Sequence, residues 1–407
     1  MVPPMPALPP QLLPNPGLDD PAAWSAANGW SIDGEGAAKT GTTYARLTAL
    51  NVSLGDGTDY VMAFRVIEQT SSTSGGGSLG ARMAIGNNNS NIKYLGWLDP
   101  VHTELQVSHV RNRTPSQLTV QFDAANTWQG RIADPALYDV SAERHKPTLI
   151  LASGGQSNEE DYGDGQTNPY VDIFHPGIWM CPPVNYVLYG AIANTVTVAQ
   201  CPLVSNSTPS RRPGKAMAMA RRIVSLTGGA VRVVIVPAAK TGVGMLGTGV
   251  SGGWNPDTTM TGEANRYATL LTAHAAAKSQ IENYIGTIMC WSGNEADMQV
   301  ANGAALLPAA FRNFVTRVRA DMDEDIPIII SGPVPSNQPT LRAVQSTFDE
   351  GSGHANAIPG VTYFDGPEGS EWHNVADPVH WTMEGIRVTG DYAGQIAYGI
   401  GQERRWW

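Results

Sequence analysis

Residues 148–158 read Thr-Leu-Ile-Leu-Ala-Ser-Gly-Gly-Gln-Ser-Asn, and the reading of the second half of the chain starts from this stretch. Thr148 to Ala152 is a short apolar run without alternation, the pattern of a strand covered on both faces. Gly154 and Gly155 then permit a sharp turn, which places Ser157 at the carboxyl end of the strand with its hydroxyl toward solvent. Downstream the rhythm of strand and helix repeats. Helices are predicted at Gly214 to Leu226, Glu263 to Tyr284, Pro308 to Met322 and Glu384 to Ile400, and strands at Val231 to Val236, Thr287 to Trp291, Ile326 to Ser331 and Val361 to Phe364. Five apolar strands alternating with helices predict a parallel sheet with helices on both faces. In such a sheet the chemistry belongs at the carboxyl ends of the strands.

Upstream the pattern differs. Residues 1–16 are proline-rich and predict an extended arm that docks onto a partner or links domains. Residues 17–146 carry short β-type runs separated by turn residues, at Tyr44 to Leu54, Tyr60 to Glu68, Gly80 to Gly86, Thr103 to Val110 and Gln117 to Phe122. They predict an all-β antiparallel sandwich, a binding or attachment module without catalytic clusters. Its tryptophans, Trp24, Trp30, Trp97 and Trp128, are either core residues or platforms for sugar rings. The expected division is therefore an arm (1–16), a sandwich (17–146) and an α/β domain (147–407).

The chain has 407 residues, 26 Lys and Arg against 36 Asp and Glu, and a formal net charge of −10. No stretch gathers the basic residues into a phosphate-tracking face, so nucleic acid is not an expected partner. No apolar run approaches the ~20 residues of a spanning helix, and the first residues lack a basic start and an apolar core, so neither membrane insertion nor a cleavable signal is expected. Three cysteines exclude a disulfide framework; Cys181 and Cys201 either pair or stay as separate thiols, and Cys290 stands apart. No phosphate-binding glycine loop, His-x-x-x-His or Cys-x-x-Cys occurs, so no nucleotide, metal or other cofactor is expected.

A serine needs a base to become a nucleophile. One occurs in Ala376-Asp377-Pro378-Val379-His380-Trp381-Thr382, just before the last helix. The three-residue step lets the Asp377 carboxylate reach Nδ1 of His380 while Nε2 points outward. Two further segments follow intermediate strands: Ala238-Ala239-Lys240-Thr241-Gly242 after the second, and Trp291-Ser292-Gly293-Asn294-Glu295-Ala296-Asp297 after the third. The N–H groups of Ser157 and Gly242 and the side-chain amide of Asn294 are candidate oxyanion donors. Gly242 is otherwise a turn glycine and Asn294 a helix cap. Arg212 and Lys240 are candidate substrate contacts or plain surface charges.

Gly-Gln-Ser-Asn, Ala-Ala-Lys-Thr-Gly, Trp-Ser-Gly-Asn-Glu-Ala-Asp and Asp-Pro-Val-His-Trp-Thr resemble, in order, the four blocks of the SGNH hydrolase superfamily, over about residues 147–401. Within it the chain is most similar to the sialate O-acetylesterase-like carbohydrate esterases. The resemblance implies a flavodoxin-like three-layer α/β fold and a metal-free hydrolase that removes acetyl groups from a carbohydrate or polysaccharide. Ser157 would be the nucleophile, His380 the base and Asp377 its orienting acid. The third block departs from the pattern: Gly293 stands where the branch has Gln, and Asn294 where it has Gly. Glu295 and Asp297 match the family acids and are read as structural partners. The segments Glu159 to Pro183 and Gly244 to Thr261 are expected to wall the substrate cleft. A rival reading is a glycan-binding, adhesive protein with an inactive hydrolase-like domain. The N-terminal region resembles phage tail and receptor-binding proteins, which implies a particle surface and oligomeric attachment; a cytoplasmic or non-classically exported bacterial esterase is the alternative.

Overall fold

The computed structural model describes residues 7–13, 18, 23–26, 29–33, 36–40, 45–49, 59–69, 79–85, 92–95, 105–111, 118–124, 129–160, 175–185, 191–199, 203–206, 214–247, 252–334, 338–374, 377 and 379–407. They fall into two compact units, one holding Ala7–Arg144 with Tyr186–Ile192, the other His145–Asn185 with Ala193–Trp407.

The first unit contains ten strands: β1 Trp24–Ala26, β2 Trp30–Asp33, β3 Gly36–Lys39, β4 Ala45–Ala49, β5 Asp59–Gln69, β6 Leu79–Ile85, β7 Ile92–Leu95, β8 Leu105–Arg111, β9 Leu118–Ala124 and β10 Gly130–Asp139. Antiparallel pairing gives two five-stranded sheets, ordered β1-β4-β9-β6-β7 and β2-β3-β10-β5-β8. The five strands expected from the sequence correspond to β4, β5, β6, β8 and β9. Strand β10 is missed because Asp134-Pro135 interrupts it. The register with β5 shifts between Ala133 and Ala136, and Asp134 takes φ 49°, so a bulge absorbs the proline.

Residues 7–13 of the expected arm are not free. The Leu12 N–H donates to the Leu137 carbonyl, and Gln11 Oε1 accepts from the N–H groups of Leu13 and Leu137. Leu13 is buried. The proline-free step Gln11-Leu12-Leu13 keeps the N–H groups that the flanking prolines lack, and this is the piece that pairs with β10. Trp24 and Trp30 are 3% and 6% exposed and are core residues rather than sugar platforms. Trp97 and Trp128 lie outside the described residues.

The second unit is built on seven strands, β11 Thr148–Gly155, β12 Ile178–Met180, β13 Thr197–Val198, β14 Arg232–Pro237, β15 Tyr284–Ser292, β16 Ile328–Ser331 and β17 Val361–Phe364. Their order is β13-β12-β14-β11-β15-β16-β17, with every pairing parallel except β12 with β13. Helices α1 Lys215–Leu226, α2 Arg266–Ser279, α3 Gly303–Met322, α4 Pro339–Ser346 and α5 Met383–Glu403 flank it. α1 packs with α5 over β11, β14 and β16, and α2 packs with α3 over the other face, a three-layer α/β fold. Strands β12 and β13 and helix α4 escape the sequence because two or three residues, or eight, carry too little periodicity to register.

Every residue of β11 is buried, as a central parallel strand requires. α3 buries Leu307, Phe311, Phe314, Val315, Val318 and Met322, one stripe of a 3.6-residue period. It starts five residues before the expected Pro308, which sits in the second turn and forfeits a single N–H bond. α5 meets α1 through glycines: a Cβ on Gly390 would fall 2.6 Å from the Lys215 carbonyl, and one on Gly394 2.9 Å from the Met219 carbonyl. Among the described residues no helix is long and apolar enough to cross a membrane.

The turn after β11 depends on Gly155. Its φ is 121°, and a Cβ there would lie 2.0 Å from the Ser292 carbonyl oxygen of β15. Neither the backbone angle nor the space admits a side chain. Gly155→Ala is therefore expected to lower unfolding free energy by about 3 kcal/mol or more, read by chemical denaturation.

Candidate active site

β11 is the first strand of the sheet and lies centrally, with β14 on one side and β15 on the other. The chain thus reverses its direction across the sheet at β11, which opens a crevice at the strand ends. After Gly155 the Gln156 N–H donates to the Ser292 carbonyl at 2.7 Å, and the N–H groups of Glu159 and Glu160 both return to the Gln156 carbonyl. Ser157 occupies this first turn, 6% exposed.

The histidine segment is a closed loop. The Asn374 N–H donates to the His380 carbonyl, the His380 N–H to the Asp377 carbonyl, and the Thr382 N–H to the Trp372 carbonyl. Thr382 caps α5 through a bond from the Gly385 N–H to its hydroxyl. This loop holds His380 Nδ1 2.6 Å from Asp377 Oδ2 and His380 Nε2 2.7 Å from Ser157 Oγ. The structure therefore brings together Ser157, His380 and Asp377, 223 residues apart at the longest step. The Asp377 side chain is 44% exposed and that of His380 13%, so the carboxylate is reached by water while the imidazole is mostly covered. With Nδ1–H donated to Asp377, Nε2 is left as the acceptor for the serine proton, the geometry a general base requires.

Asn158, which the sequence reading passed over, ties the two halves of this arrangement. Its Nδ2 donates to Glu295 Oε1 at 3.1 Å and to the Val379 carbonyl at 2.9 Å, while its Oδ1 accepts from the Trp381 N–H. One side chain next to the serine thereby grips the backbone on both sides of the histidine. Its signal in the sequence was adjacency to Ser157 in a turn.

Asn294, a candidate oxyanion donor, is held by core contacts. It is fully buried, its Nδ2 donates to Asp297 Oδ2 at 2.8 Å, and its Oδ1 accepts from Trp291 Nε1 and Gln345 Nε2. Its φ is 81°, the left-handed region that Gly and Asn tolerate. Asn294 thus braces the turn after β15, with one of its two amide N–H bonds given to Asp297. Asp297 in turn accepts the N–H groups of Met245 and Leu246 at 2.7 and 2.8 Å, anchoring the segment after β14. Burial pushes the carboxyls of Glu295 and Asp297 above their ordinary range, with hydrogen bonds to Asn158 and Asn294 opposing it. Both acids accept hydrogen bonds from neighbouring segments, Glu295 from Asn158 and Asp297 from Asn294, Met245 and Leu246.

Gly242 lies in an exposed turn closed by the Val243 N–H on the Lys240 carbonyl, with φ 75° as the third position of a type II turn demands. Lys240 Nζ stands 4.0 Å from Glu263 Oε2, and both side chains are about one-third exposed. Arg212 and Cys201 lie outside the described residues; Cys181 and Cys290 are buried free thiols. Of the segment expected to wall the cleft, Trp254 is instead core: it is buried, donates Nε1 to the Gly155 carbonyl at 2.9 Å, and stacks edge-on against Trp291 at 5.0 Å. Among the described residues no group of three or more His, Cys, Asp and Glu is placed to hold a metal ion.

Beneath the serine turn lies a charged pair that the sequence did not announce. Glu159 accepts from Ser153 Oγ at 2.9 Å and Cys290 Sγ at 3.6 Å, and stands 3.7 Å from Lys215 Nζ, with both charged side chains fully buried. Burial raises the Glu159 carboxyl to about 6, with Lys215 opposing.

The model of the carbohydrate esterase family described as sialic acid-specific acetylesterase matches residues 147–396. This chain belongs to that family. The match spans more than half of the chain and includes the serine turn, the three strand ends and the histidine loop. Among solved structures the chain is similar to NanS (16% identity, 63% of this chain and 98% of that one, TM-score 0.49). It is also similar to a protein from Arabidopsis thaliana (17% identity, 62% and 98%, TM-score 0.47) and to a family two carbohydrate esterase from Clostridium thermocellum in complex with cellohexaose (11% identity, 94% and 100%, TM-score 0.38). No protein of curated function matches it.

Two outcomes follow from this geometry. Asn294→Ala is expected to lower stability by about 2–3 kcal/mol, because the left-handed backbone and the Asp297 and Trp291 partners lose their residue. It should lower kcat/KM by far less than the roughly 10²- to 10³-fold cost of deleting an oxyanion donor. Glu159 has a folded-state value above its ordinary 4.5. Its contribution is therefore complete below pH 4.5 and is lost as pH rises through about 6. Stability of wild type relative to Glu159→Gln, followed by denaturation from pH 4 to pH 7, should fall by about 2 kcal/mol.

Proposed function

We propose that the protein is a serine esterase that removes O-acetyl groups from a carbohydrate or polysaccharide. The observation that carries this reading is the hydrogen-bonded run from Asp377 through His380 to Ser157 at the carboxyl end of β11. His380 Nε2 takes the proton of Ser157 as its oxygen attacks the acetyl carbonyl. Negative charge develops on the carbonyl oxygen, and the N–H groups of Ser157 and Gly242 are assigned to receive it; neither finds an acceptor among the described residues. The imidazolium, held by Asp377, passes its proton to the departing sugar oxygen. Water deprotonated by the same imidazole then attacks the acetyl-enzyme and releases acetate. The family to which the chain belongs supports the acetyl ester as substrate.

The division at about residue 145 and the two antiparallel sheets support the reading of the N-terminal unit as a β-sandwich module that attaches the esterase to its glycan. The rival reading, an adhesive protein with an inactive hydrolase-like unit, is disfavoured by the contacts at 2.6 and 2.7 Å, since a site without catalytic use has no need of this alignment.

Ser157→Ala is expected to cut acetate release from a chromogenic acetyl ester by at least about 10⁴-fold, and Asp377→Asn by about 10⁴-fold in kcat with folding intact. Equal release by wild type and Ser157→Ala overturns the esterase reading.

A further inference from the structure

Glu160 is a carboxylate buried three residues after Ser157, and the reaction described above gives it no task. Its Oε1 accepts from Asn206 Nδ2 and, at 3.4 Å, from Ser205 Oγ. Its Oε2 accepts both from the Thr241 N–H and from Thr241 Oγ1, the latter at 2.7 Å. Arg266, a fully buried guanidinium close enough to attract both Glu160 and Glu263, ties down the carbonyls of Ala238 at 2.9 Å and Ser205 at 2.7 Å. A carboxylate with this many donors and a buried cation is costly to assemble for folding alone, where an apolar replacement often serves as well.

The placement of its partners gives the cost a purpose. Glu160 belongs to the same turn as Ser157, because its own N–H donates to the Gln156 carbonyl at 2.9 Å. Thr241 precedes Gly242 in the two central positions of the turn after β14, whose glycine requires φ 75°. Its two central residues are exposed, and a Cβ on Gly242 would meet nothing within 4 Å, so packing holds the turn only at its end, through the buried Val243. The contacts that bind it to the serine turn are the Lys240 N–H on the Gly155 carbonyl at 3.2 Å and the double grip of Glu160 on Thr241.

We propose that Glu160 is a positioning residue: it clamps Thr241 so that the Gly242 N–H stays in register with Ser157 and the two donors meet the same oxyanion. The inference rests on the esterase reading and on Gly242 as an oxyanion donor. Glu160 touches neither substrate nor the reacting atoms. Its effect falls on the tetrahedral state, where charge resides on the oxygen, rather than on the bound ester.

The test compares wild type with Glu160→Gln, Thr241→Val and Thr241→Ser on a chromogenic acetyl ester, alongside inhibition by methylboronic acid. Boron accepts the Ser157 oxygen and becomes a tetrahedral anion, so its affinity reports the oxyanion site. Ser157→Ala is run in parallel; equal release by it and wild type overturns the esterase reading and this inference with it. Given Ser157-dependent release, Glu160→Gln is expected to lower kcat about 10- to 100-fold and weaken boronate binding by a similar factor, with KM within about twofold, since a donor is misplaced rather than deleted. Thr241→Val, which keeps the backbone N–H bond to Glu160 and changes an exposed side chain, should lose about 3- to 10-fold in both, and Thr241→Ser should restore them. Wild-type kcat and boronate affinity in Glu160→Gln, or in Thr241→Val should Glu160→Gln not fold, overturn the assignment while leaving the esterase reading intact.

Discussion

Gly155 pressed against the Ser292 carbonyl is the constraint on which the site depends. β11 is buried along its whole length and runs between β14 and β15. The chain leaves this strand only by a turn that lifts the next residues over the end of β15. A φ of 121° and a space too small for any Cβ accomplish this, and the Gln156 N–H locks the turn by donating to the same carbonyl. Ser157 then stands over three strand ends, with the Gly242 turn on the β14 side and the Asn294 turn on the β15 side. Everything proposed about the reaction presumes this local geometry.

Around the turn the polar residues work as paired anchors. Asn158 joins the serine turn to the histidine loop, Glu160 joins it to the turn after β14, and Asn294 with Asp297 joins the turn after β15 to Met245 and Leu246. Each anchor is a buried side chain that satisfies backbone N–H or carbonyl groups of a neighbouring loop. Loops at the end of an α/β sheet have few apolar contacts to fix them, and hydrogen bonds of this kind replace packing. Glu159 and Lys215 extend the same layer downward into the core, where the carboxyl tends to take up a proton.

The sequence made the α/β unit legible because its strands are apolar runs of four or more residues and its helices carry a full period. The strands of 178–180 and 197–198 are too short for any pattern, and Pro308 misled the start of α3. The convergence of Ser157, His380 and Asp377 was legible from two blocks, since a serine after a Gly-Gly turn and an Asp-x-x-His before a helix are each a recognisable pattern. The polar anchors were not, because an Asn or Glu beside a nucleophile looks the same whether it faces water or another loop. Asn294 shows the limit most directly: its type suits an oxyanion donor, yet its left-handed backbone and its bond to Asp297 follow from three-dimensional packing that no spacing reveals.

The account stands on Ser157 as the atom that carries the acetyl group between substrate and water. Rapid quenching of the protein with an activated acetyl ester, followed by mass analysis of its peptides, reads this directly. The account predicts one added acetyl group on the peptide that contains Ser157, appearing and decaying during turnover. Acetate release at the wild-type rate with that peptide unmodified, or with the acetyl group on another residue, contradicts it.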